Sequence, residues 1–330
     1  MKESIKLLLE TRKNVLIIFL VIFVITLTSI IIVTYLNNKH SLKKEKIDEI
    51  KEVITPYPLR VGSEENYLEL DALAAASFYY SKNGNQKVLY KKNEKDVLPI
   101  ASISKLMTAQ VVLSHYKLDD PIGVTEQDII SRTEFRDFRA WEETEIEKII
   151  YQMLVESNNS AAFALALISD RYIDSDKDSV DSFVEEMNKK AKKIGLKKTT
   201  FINPSGLDTK DTYNSSTAEE IVLWSKYIIK NNPEILDISI MPLYKLYSPD
   251  NSIYYTAINT NNFLHIIEKD WQKNIVGGKT GFTTSANGCL LLIIKSPERD
   301  GYIINVVLGT KDRFKEMEKL VNYIYQNYQF

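Results

Sequence analysis

The residues best suited to chemistry are Ser102 and Lys105, at the start of a mostly apolar segment. Residues three apart share a face of a helix, so the Lys105 amine can reach the Ser102 hydroxyl. A serine is a weak nucleophile at neutral pH, but a lysine kept neutral by burial or by a nearby positive charge can take its proton. A helix N-terminus also offers unpaired backbone N–H groups to an oxyanion. The pair therefore predicts a serine that forms an acyl-enzyme.

This spacing alone has a second interpretation. A serine that caps a helix, followed one turn later by a solvated lysine, gives the same pattern without any chemistry. The pattern recurs at Ser41 and Lys44, in a charged stretch where we interpret it as chance. Other motifs must decide between the two interpretations.

A second polar pair, Ser157 and Asn159, lies between a predicted helix at residues 145–155 and an alanine-rich helix at 161–168. The first helix has its apolar residues on a single face. A hydroxyl and a carboxamide on the turn between two helices can point into a cleft. Serine and asparagine also favour capping turns on their own account, so this pair is open to both interpretations.

A third motif is the glycine-rich stretch 277–284, which contains Lys279, Thr280 and Gly281. Glycines let a strand edge approach a ligand closely, and the lysine and threonine supply a cation and a hydroxyl. Such an edge can bind a carboxylate. An ordinary glycine-rich loop before a strand is the alternative.

The elements that must position these motifs alternate between strand and helix patterns. Asn83-Gly84-Asn85 indicates a hairpin turn, and Thr217 with Glu220 indicates a capping box at a helix start. We predict strands at residues 74–80, 87–90, 287–295 and 302–308, and helices at 105–116, 180–194, 217–228 and 313–325.

A membrane-spanning helix is predicted at residues 15–36, an uncharged run of about 22 residues, enough at about 1.5 Å per residue to cross a ~30 Å hydrocarbon core. No small-residue cleavage site follows it, so we expect an uncleaved anchor. We expect residues 1–14 to be a cytoplasmic tail, 37–67 an extracytoplasmic stalk and 68–330 the folded domain. Basic residues flank both ends of the run, so charge does not decide its orientation. Arg12-Lys13 at its start weakly favours a cytoplasmic location of the N-terminal tail.

Composition argues against several functions. A net charge of -2 gives no reason to expect a nucleic-acid partner. The single cysteine, Cys289, excludes an intrachain disulfide and a cysteine-rich metal site, and its apolar surroundings predict a buried thiol. His40, His115 and His265 have no zinc-ligand spacing, so we expect neither a metal nor a histidine-based triad.

In their order along the chain, the three motifs resemble those of serine-type penicillin-binding proteins and class A β-lactamases. The narrower resemblance is to the low-molecular-mass D-alanyl-D-alanine carboxypeptidases, and it rests on residues 101–109, 183–188, 203–208 and 278–283. It covers residues 68–330. It implies an α+β fold of the β-lactamase/transpeptidase type, in which an antiparallel sheet flanked by helices adjoins a helical subdomain with the active site between them.

The resemblance implies a role for each residue of the first two motifs. Ser102 would be the nucleophile and Lys105 its general base in acylation. Ser157 would help relay a proton to the leaving amine, and Asn159 would bind the substrate amide. The residue between them is Asn158, where the family often has glycine or aspartate.

For the third motif, the resemblance implies that Lys279 and Thr280 hold the terminal carboxylate. Backbone N–H groups of Ser102 and Phe282 would form the oxyanion hole, and Gly281 and Phe282 would also contact the substrate. No cofactor or metal is implied.

The implied function is removal of the terminal D-alanine from peptidoglycan stem pentapeptides, with inhibition by β-lactam antibiotics. Such an enzyme takes part in cell-wall synthesis and cell shape. We expect a single-pass protein of the bacterial cell membrane whose catalytic domain is extracytoplasmic and contacts no nucleic acid. We also expect the N-terminal span to replace the C-terminal tether of the family.

Two alternatives stay open. A class A β-lactamase shares the motifs, but its deacylating glutamate has only a partial match at Glu220 to Trp224, inside a predicted helix. A non-turnover β-lactam sensor or wall-binding scaffold would acylate without hydrolysis. A sensor would need a cytoplasmic effector, for which the residues before Val15 leave little room.

Overall fold

The computed structural model describes residues 20–44, 58–63, 67–123, 144–173, 180–209, 212–247, 252–297 and 300–330. The chain divides into two compact units, Met1–Tyr57 and Pro58–Phe330. The predicted tail, residues 15–19 of the predicted span and most of the predicted stalk lie outside the described residues.

The first unit contains helix α1, Leu20–Lys44, whose mean hydropathy of 2.3 and length suffice for a membrane span. The helix continues past the predicted end at Leu36. Its hydroxyl side chains donate to carbonyls within the same helix, as Thr28 Oγ1 does to Ile25 at 2.9 Å. Polar groups satisfied in this way are compatible with an apolar surrounding.

The second unit combines strands and helices. Its strands are β1 (Leu59–Arg60), β2 (Ala74–Ser81), β3 (Gln86–Lys92), β4 (Leu98–Pro99), β5 (Pro121–Ile122), β6 (Thr144–Glu145), β7 (Ser215–Ser216), β8 (Leu243–Tyr247), β9 (Ile253–Ile258), β10 (Ile275–Thr283), β11 (Asn287–Lys295), β12 (Gly301–Thr310) and β13 (Tyr328–Gln329). Its helices are α2 (Lys105–Val112), α3 (Ile146–Val155), α4 (Asn159–Ile173), α5 (Asp181–Ile194), α6 (Ala218–Asn231), α7 (Pro233–Ser239) and α8 (Arg313–Asn327).

The central sheet has the strand order β10-β11-β12-β2-β3, and every neighbouring pair is antiparallel. The predicted hairpin is confirmed as β2 and β3, and Gly84 at its turn has φ +88°. The predicted pairing of the two later strands is confirmed as β11 with β12. Strand β10, which carries the third motif, is an edge strand. Within the described residues no strand pairs with its other side, which can therefore face a ligand.

Strand alternation places one apolar core on each face of the sheet. In β11, Cys289, Leu291 and Ile293 belong to the core shared with helices α2 to α7, whereas Leu290 and Leu292 belong to the core that includes α8. Side chains of successive strand residues point to opposite faces, so both faces are covered. The predicted sheet flanked by helices is confirmed, and Cys289 is the buried thiol expected.

Two local details differ from the sequence patterns. Leu59–Arg60, assigned above to the stalk, pairs with β13. At the start of α6, Thr217 accepts from the backbone N–H of Glu220, but the Glu220 carboxylate accepts from the N–H groups of Lys197 and Lys198. The predicted capping box is therefore only half formed, because a tertiary contact takes the glutamate.

Candidate active site

Ser102 lies in a 3₁₀ turn, Ala101–Ser104, that leads directly into α2. The predicted helix therefore starts at Lys105, and Ser102 precedes it. Ala101 adopts φ +47°, in the left-handed region that costs a residue with a Cβ. A Cβ on Gly206 would lie 2.0 Å from the Ala101 carbonyl oxygen, so this glycine allows the turn to pack closely.

Lys105 is fully buried, and its Nζ contacts three groups. It lies 2.9 Å from Ser102 Oγ, 2.7 Å from Asn159 Oδ1 and 2.6 Å from the Ser205 carbonyl oxygen. Burial, and secondarily the charge of Lys279, hold the pKa of Lys105 well below its usual value. Low pKa and contact with a serine hydroxyl are the properties that a general base requires.

Ser157 and Asn159 flank the junction of α3 and α4. Ser157 has φ +66°, and Asn159 is the first residue of α4. Between them, the Asn158 side chain accepts from Ala161 N and donates to Glu156 Oε1, both at 2.9 Å. Asn158 is therefore occupied with the capping turn, while its two neighbours contact the lysines of the other motifs.

Lys279 joins the third motif to the second. Its Nζ lies 2.8 Å from Ser157 Oγ and 3.2 Å from the Thr280 carbonyl oxygen. Burial, and secondarily the charge of Arg313, lower the pKa of Lys279 to about 7. The Thr280 side chain is also buried, and its hydroxyl contacts that of Thr260.

The end of β10 approaches the turn that carries Ser102. A Cβ on Gly281 would lie 3.1 Å from the Ser102 backbone nitrogen and 3.0 Å from the Ala101 Cβ. The next residue, Phe282, has a side chain 63% exposed. The structure thus brings Ser102, Lys105, Ser157, Asn159, Lys279, Thr280 and Gly281 into one cluster, with Phe282 at its rim.

Sequence reasoning missed three contributors to this cluster. The Ser205 carbonyl binds Lys105, Thr260 contacts Thr280, and Arg313 lowers the pKa of Lys279. Asn203 Oδ1 accepts from Ser205 N at 3.1 Å and from Gly206 N at 2.7 Å, an Asx turn within the stretch 203–208 on which the resemblance rests. No local sequence pattern indicates that Thr260 or Arg313 contributes to the site.

Metal-ligating groups are not clustered in the described part of the chain: it holds no group of three or more His, Cys, Asp or Glu side chains that could bind an ion. His265 Nε2 lies 2.7 Å from the Asn259 carbonyl oxygen. Burial raises the pKa of the Cys289 thiol to about 11, so the thiol is a core group at neutral pH.

Residues 64–312 match the model of the peptidase S11 family, described as D-alanyl-D-alanine carboxypeptidase. The chain is 27% identical over 251 residues to D-alanyl-D-alanine carboxypeptidase DacF of Bacillus subtilis, covering 74% of this chain and 60% of that protein. It is 32% identical over 230 residues to a D-alanyl-D-alanine endopeptidase of Pseudomonas aeruginosa, covering 67% of each. The matched part thus spans about three fifths to two thirds of these relatives.

Among solved structures, the chain is similar to penicillin-binding protein D2 from Listeria monocytogenes in its cefotaxime-bound form. The TM-score is 0.62 at 31% identity, and the match covers 79% of this chain and all of that one. The sheet and the helices on both of its faces therefore share the fold of that protein. The chain belongs to the peptidase S11 family of D-alanyl-D-alanine carboxypeptidases.

Proposed function

We propose that this protein is a serine D,D-carboxypeptidase that removes the terminal D-alanine from peptidoglycan pentapeptides through an acyl-enzyme on Ser102. The observation that carries the proposal is the environment of Lys105, a fully buried amine 2.9 Å from the Ser102 hydroxyl. Family membership supports the same reaction.

The contacts of Lys105 suit a neutral amine, which has two hydrogens and one lone pair. Its acceptor neighbours, Asn159 Oδ1 at 2.7 Å and the Ser205 carbonyl at 2.6 Å, take the two hydrogens. The lone pair then faces Ser102, whose hydroxyl donates to it. Protonation of Lys105 would bury a positive charge close to that of Lys279, which is why its pKa is low.

In acylation, the Ser102 oxygen attacks the carbonyl carbon of the penultimate D-alanine, and its proton passes to Lys105. The backbone N–H groups of Ser102 and Phe282 hold the oxyanion. The C–N bond then breaks, and the proton held by Lys105 passes through the Ser157 hydroxyl, which lies beside Lys279, to the leaving amine, so that Lys105 is neutral again. Water then gives a proton to Lys105 and adds to the acyl carbon; the bond from that carbon to the Ser102 oxygen breaks, the shortened peptide leaves as a carboxylic acid, and the proton returns to the Ser102 oxygen.

Lys279 and Thr280 bind the terminal carboxylate of the substrate. A carboxylate accepts hydrogen bonds only, and a charge-assisted bond is worth about 1.5 to 3 kcal/mol. A β-lactam also places a carboxylate beside a reactive amide bond. It therefore acylates Ser102 and inhibits the enzyme.

The candidate glutamate of a class A β-lactamase, Glu220, is engaged elsewhere. Its carboxylate accepts from the backbone N–H groups of Lys197 and Lys198 and from the Thr199 hydroxyl. These contacts connect α6 to the preceding loop. Because the Glu220 carboxylate is engaged in them, it does not activate a water molecule at Ser102. The carboxypeptidase is thus the better proposal.

Helix α1 anchors the protein in the bacterial cell membrane as a single pass, with the catalytic domain outside. Its length and hydropathy support a span, and peptidoglycan lies outside the cytoplasm. The catalytic domain comprises residues 68–330 together with Leu59–Arg60, which pairs with β13, and it follows the stalk. Protease shaving of protoplasts should remove it. Survival of the domain, or a mature N-terminus after Leu36, would contradict this topology.

The reaction is tested with the detergent-solubilised protein and diacetyl-L-Lys-D-Ala-D-Ala. Release of free D-alanine, together with a slowly released adduct of fluorescent penicillin, is the expected result. Rapid penicillin hydrolysis without D-alanine release would point to a β-lactamase. A permanent adduct without peptidase activity would point to a sensor or scaffold. Cleavage of a cross-linked muropeptide dimer but not of the pentapeptide would identify an endopeptidase.

A further inference from the structure

Thr260 connects the second and third motifs. Its Oγ1 lies 2.5 Å from Thr280 Oγ1, and its backbone N–H donates to the Val155 carbonyl at 3.1 Å, two residues before Ser157. Thr280 is 4% exposed and Thr260 is half-buried. The contact between the two hydroxyls is therefore largely shielded from water.

The direction of this hydrogen bond matters for a ligand at Thr280. A threonine hydroxyl has one hydrogen and two acceptor lone pairs, whereas a carboxylate only accepts. If Thr280 donates to Thr260, it has only a lone pair to offer a carboxylate. If Thr260 donates to Thr280, the Thr280 hydrogen is available to the carboxylate, and the chain of two bonds is strengthened by mutual polarisation.

We propose that Thr260 is a positioning residue that donates its hydroxyl hydrogen to Thr280 and thereby reserves the Thr280 hydrogen for the substrate carboxylate. The inference rests on the proposed function, in which Thr280 binds that carboxylate. It makes Thr260 a determinant of specificity for ligands that end in a free acid.

The loop that carries Thr260 is held on both sides. Asn259 Nδ2 donates to the Ser239 and Met241 carbonyls at 2.9 and 2.8 Å, and Asn259 Oδ1 accepts from Asn261 N at 2.9 Å. Both asparagines are buried. Such a fixed backbone keeps the Thr260 hydroxyl at one place, which a positioning residue requires.

The test measures kcat/KM for diacetyl-L-Lys-D-Ala-D-Ala and for its C-terminal amide on the same preparation of full-length protein. The ratio of the two values does not depend on the fraction of active enzyme. We expect Thr260→Val to lower the acid-to-amide ratio about three- to tenfold, and Thr260→Ser to retain it. Thr280→Val should lower the ratio further, and adding Thr260→Val to it should cause no additional loss.

Thr256→Val is the matched control, because Thr256 lies on β9, four residues before Thr260, and pairs with Lys245 of β8. It should leave the ratio unchanged. The proposal would be overturned if Thr260→Val kept the wild-type acid-to-amide ratio, or if it lowered kcat/KM equally for both substrates. It would also be overturned if the effects of Thr260→Val and Thr280→Val on the ratio added up in the double variant.

A parallel measurement separates this inference from the proposed function. The ratio of the rates at which benzylpenicillin and its methyl ester acylate Ser102 also measures the preference for a free acid. This measurement does not require peptide hydrolysis. If the protein releases no D-alanine, the proposed function fails, yet the penicillin pair still tests Thr260. If the wild-type protein shows no preference for the acid in either pair, the inference is wrong.

Discussion

The Nζ atom of Lys279 lies 2.8 Å from the Ser157 hydroxyl, although the two residues are 122 positions apart in the sequence. This contact joins the third motif to the second, as the contact of Lys105 with Asn159 joins the first motif to the second. The charge of Lys279 also contributes, after burial, to the low pKa of Lys105. The site therefore acts as one electrostatic unit.

Ser157→Ala should slow acylation by about 10²- to 10⁴-fold, because it removes the group that relays a proton to the leaving amine in the proposed mechanism. Stopped-flow labelling with fluorescent penicillin measures this rate. Asn158→Ala is the control, since that side chain serves the capping turn. It should cost about 1 kcal/mol of stability and leave the acylation rate within a few-fold. Equal rates for Ser157→Ala and wild type would contradict the assigned role.

Ser102→Ala should abolish penicillin labelling, and Lys105→Ala should slow it by about 10²- to 10⁴-fold through loss of the general base. A second lysine–serine pair provides the control: Lys190 Nζ lies 2.5 Å from Ser114 Oγ, and burial lowers the pKa of Lys190 too. Ser114→Ala should react with fluorescent penicillin at the wild-type rate. A folded Ser102→Ala protein that still labels would refute the central assignment.

The pH dependence should follow Lys279, whose pKa is lowered to about 7. Below that pH the amine is a cation that attracts a carboxylate, and above it the amine is neutral. The ratio of kcat/KM for the free-acid peptide to that for its amide should therefore fall as the pH rises through about 7. Titration of Lys105 affects both substrates and cancels in the ratio.

The arginine of Lys279→Arg stays positively charged from about pH 5.5 to 9. The acid-to-amide ratio of kcat/KM in this variant should therefore not change with pH. The measurement is a pH series of initial rates for both peptides from about pH 5.5 to 9. A level ratio in the wild-type protein would show that Lys279 does not govern carboxylate binding.

Gly206 and Gly84 make a matched pair for substitution by alanine. Both have positive φ, +83° and +88°, but a Cβ on Gly206 would lie 2.0 Å from the Ala101 carbonyl oxygen, whereas Gly84 has nothing within 4 Å. Gly84→Ala should cost about 1 to 2 kcal/mol of stability from backbone strain alone. Gly206→Ala should cost more and also slow acylation, because it displaces the turn that carries Ser102. Urea unfolding measures the loss of stability, and penicillin labelling measures the acylation rate. Equal losses of stability in Gly84→Ala and Gly206→Ala would contradict this explanation.

Local rules explain why much of the fold could be predicted. The Asn83-Gly84-Asn85 turn, the alternation along β11 and the apolar run of α1 depend on residues a few positions apart. The three motifs could be recognised for the same reason, since each occupies a single helical turn, a helix junction or one strand. Such patterns follow from backbone geometry and from the period of each element.

The remaining features depend on contacts between distant residues. Glu220 binds the backbone near Lys198 instead of completing the capping box, and Thr260 reaches Thr280 through a separate loop. By itself, the sequence determined the identity and spacing of the reactive groups. Only the tertiary structure decided that Lys105 is buried against the Ser205 carbonyl, 100 positions away, and so has a low pKa. The reason is physical: desolvation arises from the atoms packed around a group, and no local pattern specifies those atoms.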